Sequence, residues 1–453
     1  MSQSRGNSGS LVIIIVLIFS IVAIFIFQIG LQDREIAPHI SRGADLAVIG
    51  GTSAAMLAAL EAAEHGAQVV LFLNGQEMGE DTSFLVKGGL AAALTPPQNE
   101  LQIELTPEML AEMISEHGGA INDPLLLKAF EDSSSSLFSW AEEFEDLFFN
   151  FLPSPEIKPY FHLANLHADL LLRKQMIERI NKSPIVVIND LLVEEILLSP
   201  NGDVQALQLI DDQKEEITYY FRAVILADGG YSGNIHSWQD YLPRKNPLVL
   251  RSDQKGYGLR LAYGLGADLV QMGFLQERAL LYEPASKQNA LLPLIPWQDA
   301  YLVNTSGQIL TWEGSSLRNV LNLIHQTSSG SAYILAPEER ALSYLTFFKR
   351  FEELEDLLKA YPLDDVLPIP GLRMQPPYYI APIIAGIEYT LGGVSVTPDG
   401  EVKKDGNVIK GLYAAGEIVG GLHGEAMLPG MALSETFFTS KTAGKSAAEY
   451  AQR

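Results

Sequence analysis

The chain has 453 residues, 47% of them hydrophobic and 19% charged, as in an ordered globular protein with room for one large or two medium domains. The formal net charge is −24, from 31 basic and 55 acidic residues. Such a chain repels phosphate backbones, which argues against nucleic acid as a partner. The absence of cysteine excludes disulfides, thiolate metal sites, iron–sulfur ligation and cysteine nucleophiles.

An uncharged apolar segment lies near the start of the chain. Residues 11–31 have the sequence LVIIIVLIFSIVAIFIFQIGL, about 21 residues that would extend roughly 31 Å as a helix. A signal peptide has a shorter apolar core, and a buried core helix is not apolar on every side. We therefore predict a single N-terminal transmembrane helix, through which residues 11–31 contact membrane lipid. Basic residues lie both before and after it, so they do not decide the side of the membrane.

Residues 44–73 show the pattern of a βαβ unit. Apolar strands are predicted at residues 44–49 and 69–73, and an alanine-rich helix is predicted between them at residues 54–65. Gly50 and Gly51 follow the first strand, as in a dinucleotide-binding turn, but Thr52 and Ala55 stand at the positions of the second and third glycines. Thr52 adds bulk where a pyrophosphate approaches, although the hydroxyl of Thr52 or Ser53 would be able to bind phosphate.

The rest of the chain continues the α/β pattern. Residues 105–150 are predicted to be helical, and residues 185–226 to include an antiparallel insert. Buried strands are predicted at residues 222–227 and 411–415, followed by Gly229 and Gly230 and by Gly416 and Glu417. Ligands in doubly wound sheets bind at the carboxyl ends of the strands, where these glycine loops fall.

Seven short motifs resemble the flavoprotein subunits of the fumarate reductase and succinate dehydrogenase family, which includes L-aspartate oxidase. They occur in the family's order, at about its spacing, from residue 44 to the C-terminus. The motifs are Val48-Ile-Gly-Gly51, Lys87-Gly-Gly-Leu-Ala-Ala92, Ala227-Asp-Gly-Gly230, Gly264-Leu-Gly-Ala-Asp-Leu269, Thr390-Leu-Gly-Gly393, Gly411-Leu-Tyr-Ala-Ala-Gly-Glu417 and Gly420-Gly-Leu-His-Gly424.

The resemblance implies a Rossmann-like FAD-binding domain with an inserted α+β capping domain. We predict a transmembrane helix at residues 11–31, the FAD-binding domain at 44–235 and 370–453, and the capping domain at 236–360. The substrate would lie between the two domains, over the flavin.

The resemblance also implies which residues bind FAD, and it implies non-covalent binding, because Thr82 stands where covalent members have a histidine. The family's acid for the adenosine ribose is replaced by Leu73, and Asn74 lies one residue further along the strand. The implied cofactor residues are Gly50, Gly51, Thr52, Ser53, Ala55, Thr82, Ser83, Lys87, Gly88, Gly89, Gly229, Gly230 and Glu417.

The family's reaction is hydride transfer between flavin and a dicarboxylate held by histidine and arginine side chains. By resemblance, Arg318 corresponds to the arginine that donates a proton. The two substrate histidines are replaced in Gln276-Glu277-Arg278-Ala279 and in Glu388-Tyr389, and Met427 replaces a substrate-binding arginine. His423 is retained, and no spacing of histidines indicates a metal site.

Two functions remain open on this pattern. The first is a membrane-anchored FAD-dependent oxidoreductase whose substrate is not a simple dicarboxylate. Its more apolar pocket would be lined by Tyr257, Tyr389, Met427 and Met431. It would need an electron-transfer partner protein, a quinone, a nicotinamide or oxygen. The second is a catalytically inactive relative that serves as a structural or accessory subunit of a membrane complex.

Overall fold

The computed structural model describes most of the chain after residue 43. The described residues are 44–81, 89–150, 159–165, 167–242, 249, 251, 253–283, 288–291, 300–304, 309–310, 317–327, 331–342, 347–353, 356–357, 360 and 375–453. The predicted transmembrane helix at residues 11–31 lies outside them. Within the described part of the chain, no helix has the length and apolarity needed to cross a membrane.

A six-stranded sheet forms the base of the described unit, Asp45–Arg453. Four of its five parallel strands are short and apolar, because both faces of the sheet are covered there. The fifth has eight residues and begins with exposed positions, including Asn407 and Lys410. The sixth strand pairs antiparallel at one edge. Across the sheet the strands are Glu401–Lys404, Asn407–Ala414, Ala223–Leu226, Leu46–Ile49, Val69–Phe72 and Val186–Ile188.

The strand order places a crevice at the carboxyl end of the first strand. Leu46–Ile49 pairs with Val69–Phe72 on one side and with Ala223–Leu226 on the other, so the connections leave it in opposite directions. The helices Ser53–Glu64 and Met431–Ala451 pack against each other and this sheet. The α/β class and the βαβ unit predicted at residues 44–73 are therefore confirmed.

A seven-stranded antiparallel sheet forms the second layer of the unit. Its long central strand, Tyr378–Thr390, pairs with three others, and the amphipathic helix Leu317–Gln326 covers one face of the sheet with apolar side chains. The strands are Gln288–Leu291, Leu275–Glu283, Tyr378–Thr390, Ser331–Ala336, Tyr301–Val303, Ile309–Leu310 and Lys349–Phe351. Tyr378–Thr390 thus belongs to this sheet, although the predicted boundary at residue 370 puts it in the FAD-binding domain.

Smaller sheets and helices complete the unit. The antiparallel insert predicted within residues 185–226 is confirmed by a three-stranded meander. Its strands are Leu192–Leu198, Val204–Ile210 and Glu216–Tyr220. The remaining strands are Leu90–Ala91, Phe149–Asn150, Phe161–Ala164, Leu269–Val270 and Gly393–Val394. The remaining helices are Pro96–Glu100, Pro107–His117, Pro124–Ser133, Leu137–Glu142, Ala168–Lys182, Tyr257–Gly264 and Glu338–Ala341, with 3-10 turns at Ser134–Ser136, Ser232–Tyr241 and Gly416–Ile418.

Candidate functional site: a nucleotide cleft and the adjoining substrate region

The first glycine of the predicted turn has the conformation that such a turn requires. Gly50 has φ +130°, a value that side chains disfavour, and its N–H donates to Phe72 O over 2.8 Å. A Cβ atom at Gly50 would lie 2.7 Å from the Cα of Asp228. The turn between the first strand and the first helix is therefore preserved, and glycine is needed at residue 50 by the neighbouring backbone.

Thr52 uses its hydroxyl inside the protein. It is the N-cap of the first helix, with φ −68° and ψ 166°, and its Oγ1 accepts from Ala55 N over 3.2 Å. The same hydroxyl donates to Ala227 O of the neighbouring strand. Thr52 thus avoids the strained dihedrals that a glycine would permit, and it joins the helix to the strand.

The loop after the second strand covers the glycine turn. Gln76 Oε1 accepts from Gly51 N over 2.8 Å, and Gln76 Nε2 donates to Asp228 O over 2.8 Å. Gly79 N donates to Gly51 O over 2.7 Å. Gln76 therefore bridges the turns that follow two adjacent strands of the parallel sheet.

A carboxylate lies at the N-terminus of the first helix. Asp81 Oδ1 accepts from both Ser53 N and Ser53 Oγ, over 2.7 and 2.8 Å. Asp81 is 8% exposed, and burial raises its pKa although the charge of Arg251 and the bonds from Ser53 oppose the rise. Asp81 thus takes the position in which a helix N-terminus would hold an external anion.

Leu73 and Asn74 follow the second strand, where a nucleotide ribose would be bound. Both are buried, and Asn74 is in the left-handed region with φ 53°. Asn74 Oδ1 accepts from Val193 N over 2.9 Å. The amide of Asn74 therefore fixes the start of the antiparallel meander.

A buried charge cluster lies beside Gly229 and Gly230. Glu417 Oε2 lies 3.0 Å from Arg251 NH1, and Glu417 Oε1 accepts from the N–H and hydroxyl of Thr390 over 2.9 and 3.0 Å. Burial raises the pKa of Glu417 to about 7 against the charge of Arg251. Arg251 NH2 also bonds Asp253, and Gln254 Oε1 accepts from Gly230 N over 2.9 Å.

These contacts locate most of the predicted cofactor residues. The glycine turns after the parallel strands lie together at the carboxyl end of the sheet, and they define the region called the nucleotide cleft. Its predicted residues are Gly50, Gly51, Thr52, Ser53, Gly229, Gly230 and Glu417, with Ala55 in the first turn of the helix. Gly89 has φ 74° and lies against Phe161, at the edge of the small sheet. Thr82, Ser83, Lys87 and Gly88 lie outside the described residues.

Sequence reasoning missed four cleft residues: Gln76, Asp81, Arg251 and Gln254. Asp81 directly precedes Thr82 in the loop already assigned to the flavin, so its charge was a visible signal. Arg251 and Gln254 lie in a segment with few local patterns, and only the folded chain brings them to Glu417 and Gly230.

On the substrate side, two replaced positions pair with each other. The guanidinium of Arg278 bonds the carboxylate of Glu388, and their side chains are 15% and 4% exposed. Met427 is buried, and its N–H donates to Gln276 Oε1 over 3.2 Å. Arg318 lies in the helix Leu317–Gln326, but its side chain lies outside the described residues. The negative charge of Glu388 is thus compensated within the protein.

A second buried cluster joins Tyr389, His423 and Glu435. Tyr389 donates to Glu435 Oε2 over 2.6 Å, and His423 Nε2 lies 2.9 Å from the same oxygen. Burial, followed by the charge of Glu435, raises the pKa of Tyr389 well above its ordinary value. His423 Nδ1 and Glu435 Oε1 are buried without a hydrogen-bond partner among the described residues. No group of three or more potential metal ligands occurs in that same part of the chain.

Comparison with known proteins identifies the family. Residues 45–433 match the family described as the FAD binding domain. The chain belongs to this FAD-binding family. The predicted cofactor identity, FAD, is therefore confirmed as that of the family, and the fold is that of the FAD-dependent fumarate reductase-like oxidoreductases.

Two curated relatives and one solved structure that resemble this chain are named as fumarate reductases or fumarate oxidoreductases. The chain is 25% identical to the NADH:fumarate oxidoreductase of Klebsiella pneumoniae over 90% of its own length, and it spans 48% of that relative. It is 25% identical to the fumarate reductase (cytochrome) of Shewanella frigidimarina, covering 92% of this chain and 79% of the relative. The open conformation of a flavocytochrome c3 fumarate reductase has the same fold, with a TM-score of 0.80, 21% identity, and coverage of 94% and 81%.

The described residues of this family member do not fit FAD in the conformation they adopt. A bound dinucleotide needs the amides at the glycine turn and the helix N-terminus for its pyrophosphate. Gly51 N is bonded to Gln76, and Ser53 N is bonded to the carboxylate of Asp81. Leu73, which stands where the resemblance implies an acid for the ribose, is buried and apolar.

Asp228 follows the strand Ala223–Leu226, and it makes the stability of this protein dependent on pH. Burial raises its pKa from 3.8 to about 6, with the N–H of Gly258 opposing the rise. The folded state therefore holds a proton that the unfolded state releases, and stability falls as the pH rises through this window. We expect the free energy of unfolding to fall by about 3 kcal/mol or less between pH 4 and 6 on this account.

The Asp228→Asn variant should lack this component, because asparagine keeps the acceptor for Gly258 N and does not ionise. Urea unfolding across the window would measure it, with Asp240→Asn, at an exposed position, as the control. A slope in Asp228→Asn as steep as that of the wild type would contradict the assignment.

Proposed function

We propose that this chain is a non-catalytic member of the FAD-dependent fumarate reductase-like family, which serves as a membrane-anchored accessory subunit. The observation that carries the proposal is the ion pair between Arg278 and Glu388, in the region where the family grips its substrate. In the buried pair the positive charge of Arg278 is already satisfied by Glu388, so it gives little attraction to a substrate carboxylate.

The neighbouring substrate position supports the same reading. The names of two relatives give fumarate, a dianion, as their substrate. Binding a dianion requires cationic or strongly donating side chains. Met427, where the resemblance places an arginine, is a buried thioether with neither property. A fumarate bound here would be desolvated without compensation from Arg278 or Met427.

The anchor and the partner are proposed on separate grounds. The uncharged residues 11–31 support insertion in a membrane. A relative from Methanothermobacter marburgensis, 25% identical over 90% of this chain, is named as one subunit of a fumarate reductase (CoM/CoB), so assembly with another protein has a precedent among the relatives. We propose that the folded part of the chain binds a partner protein in the membrane.

A second candidate function is an FAD-dependent oxidoreductase with a less charged substrate. It is favoured by the buried cluster of Tyr389, His423 and Glu435. Two of its polar atoms have no hydrogen-bond partner among the described residues, an arrangement that costs stability and is common in active sites. In that function, Arg318 would donate the proton, as the resemblance implies, and Tyr389 would hold Glu435 in place through its hydrogen bond.

The test is a turnover assay on the full chain, extracted in detergent and supplied with FAD and a reduced viologen dye. We expect no reduction of fumarate, acrylate or urocanate above that given by free FAD. We also expect no thermal shift with fumarate for the wild type. A shift should appear in Glu388→Gln, which frees Arg278, and not in Glu449→Gln at an exposed position.

Turnover by the wild type would overturn the proposal. Its loss in Tyr389→Phe and in Arg318→Ala would support the second candidate. A fumarate-dependent thermal shift in the wild type equal to that of Glu388→Gln would show that the ion pair does not prevent substrate binding.

A further inference from the structure

We propose that the chain fills its own nucleotide cleft with Gln76 and Asp81, so that the wild-type protein takes up no FAD. This inference deepens the proposed loss of catalysis, but it stands on the cofactor side of the site and on different residues. Its first ground is the set of bonds at the glycine turn. Gly51 N, Gly51 O and Ser53 N are bonded to Gln76, Gly79 and Asp81 respectively.

The covering loop is also held from outside. Arg173, on the helix Ala168–Lys182, donates through Nε to Met78 O over 2.8 Å and lies 3.1 Å from Glu77 Oε2. On its inner side the loop is so close that a Cβ atom at Gly51 would lie 2.7 Å from Glu77 O. Main-chain and side-chain bonds thus keep the loop against the turn, with no room for a diphosphate between them.

The charges of the cleft also oppose the binding of a diphosphate. Asp81 occupies the helix N-terminus, whose partial positive charge would otherwise favour a phosphate. Arg251 would be the natural counter-ion, but it already bonds Glu417 and Asp253 at 3.0 and 3.1 Å. A diphosphate entering here would meet like charges and would have to displace an internal carboxylate.

The adenosine side offers no compensation among the described residues at the end of the second strand. Leu73 is 8% exposed, and its side chain has no atom that can accept a bond from a ribose hydroxyl. Asn74 is 2% exposed, and its Oδ1 is bonded to Val193 N. Specific binding of the ribose would therefore require the loss of a native hydrogen bond.

The experiment compares FAD binding by the wild type, by Gln76→Ala/Asp81→Ala, and by Glu80→Ala, an exposed site in the same loop. Full-length protein in detergent is assayed for released flavin as purified. It is then titrated with FAD and with ADP, with thermal shift and flavin fluorescence as readouts. We expect no flavin and no shift for the wild type and for Glu80→Ala. We expect at least a tenfold gain in affinity for FAD or ADP in the double variant, or about 1.4 kcal/mol.

Hydrogen exchange of the wild type gives a measurement that needs no variant. The peptide covering residues 50–56 should be protected without ligand, and its protection should not change when FAD is added. About one FAD per wild-type chain would overturn the inference, and so would FAD-dependent protection of this peptide. A folded double variant that gains no affinity would show that Gln76 and Asp81 are not the cause.

These outcomes separate the two proposals. A wild type that binds FAD but gives no turnover would end this inference and leave the proposed function standing. A wild type that binds FAD and gives turnover would end both.

Discussion

At pH 9, replacing Arg251 by methionine should lower the free energy of unfolding by about 3 kcal/mol, because it leaves Glu417 as a buried charge without its partner. Arg251 is 9% exposed and Glu417 is 6% exposed. Once the guanidinium is removed, the bonds from Thr390 are those that Glu417 keeps among the described residues. Burial already raises the pKa of Glu417 to about 7, so at pH 7 the carboxyl would avoid most of this cost by taking up a proton. Urea unfolding at pH 9, where the wild-type carboxyl is ionised, followed by circular dichroism, would measure the loss.

Two variants determine whether the loss comes from the ion pair. Arg260→Met, at an exposed position, should change the free energy of unfolding by less than about 0.5 kcal/mol. Arg251→Met/Glu417→Gln removes both charges and should recover a substantial part of the loss, since replacing a whole buried pair costs far less than breaking it. A loss below about 1 kcal/mol in the single variant, or no recovery in the double, would contradict this account.

Local patterns in the sequence predicted the base of the fold. The first two strands are short, continuously apolar runs, and the first helix is alanine-rich and ends beside Gly66, which has φ 86°. Periodicity and turn residues are properties of neighbours along the chain, so a single sequence exhibits them.

The occupants of the cleft were not predictable in the same way. Gln76 and Asp81 bond residues that precede them by 25 and 28 positions, and Arg251 meets Glu417 across 166. Pairings at such separation are set by the sheet order and leave no periodic trace. The structure also gives Thr52 an internal role that its hydroxyl chemistry alone did not distinguish from phosphate binding.

A glycine in one of the family motifs can be needed for either of two reasons: to let a cofactor approach the backbone, or to let the chain make its own turn. The structure gives the second reason for several of these glycines. A Cβ at Gly230 would overlap Thr390 and Glu417, and one at Gly393 would lie 2.6 Å from the carbonyl carbon of Ile418. These glycines are therefore needed by the fold whether or not a nucleotide is bound.

Gly50→Ala is expected to be among the most destabilising single substitutions in the parallel sheet, with a loss of about 3 kcal/mol or more. Two costs add at this position. The backbone has φ +130°, and a Cβ there would meet the carbonyl of Ala227 and lie 2.7 Å from Asp228 Cα, both of them main-chain groups that cannot rotate away. Urea unfolding of the variant, compared with the wild type at one pH, would measure the loss.

Two other glycines separate the two costs. Gly202 has φ 85° and no atom within 4 Å of a Cβ, so Gly202→Ala should show the conformational cost alone, about 1 kcal/mol. Gly264, in open space at the end of a helix, should become about 0.5 kcal/mol more stable as alanine. If Gly50→Ala cost no more than Gly202→Ala, the close approach of strands at the turn would have no energetic weight. Glycine at residue 50 would then be explained by the approach of a bound nucleotide and not by the packing of the sheet.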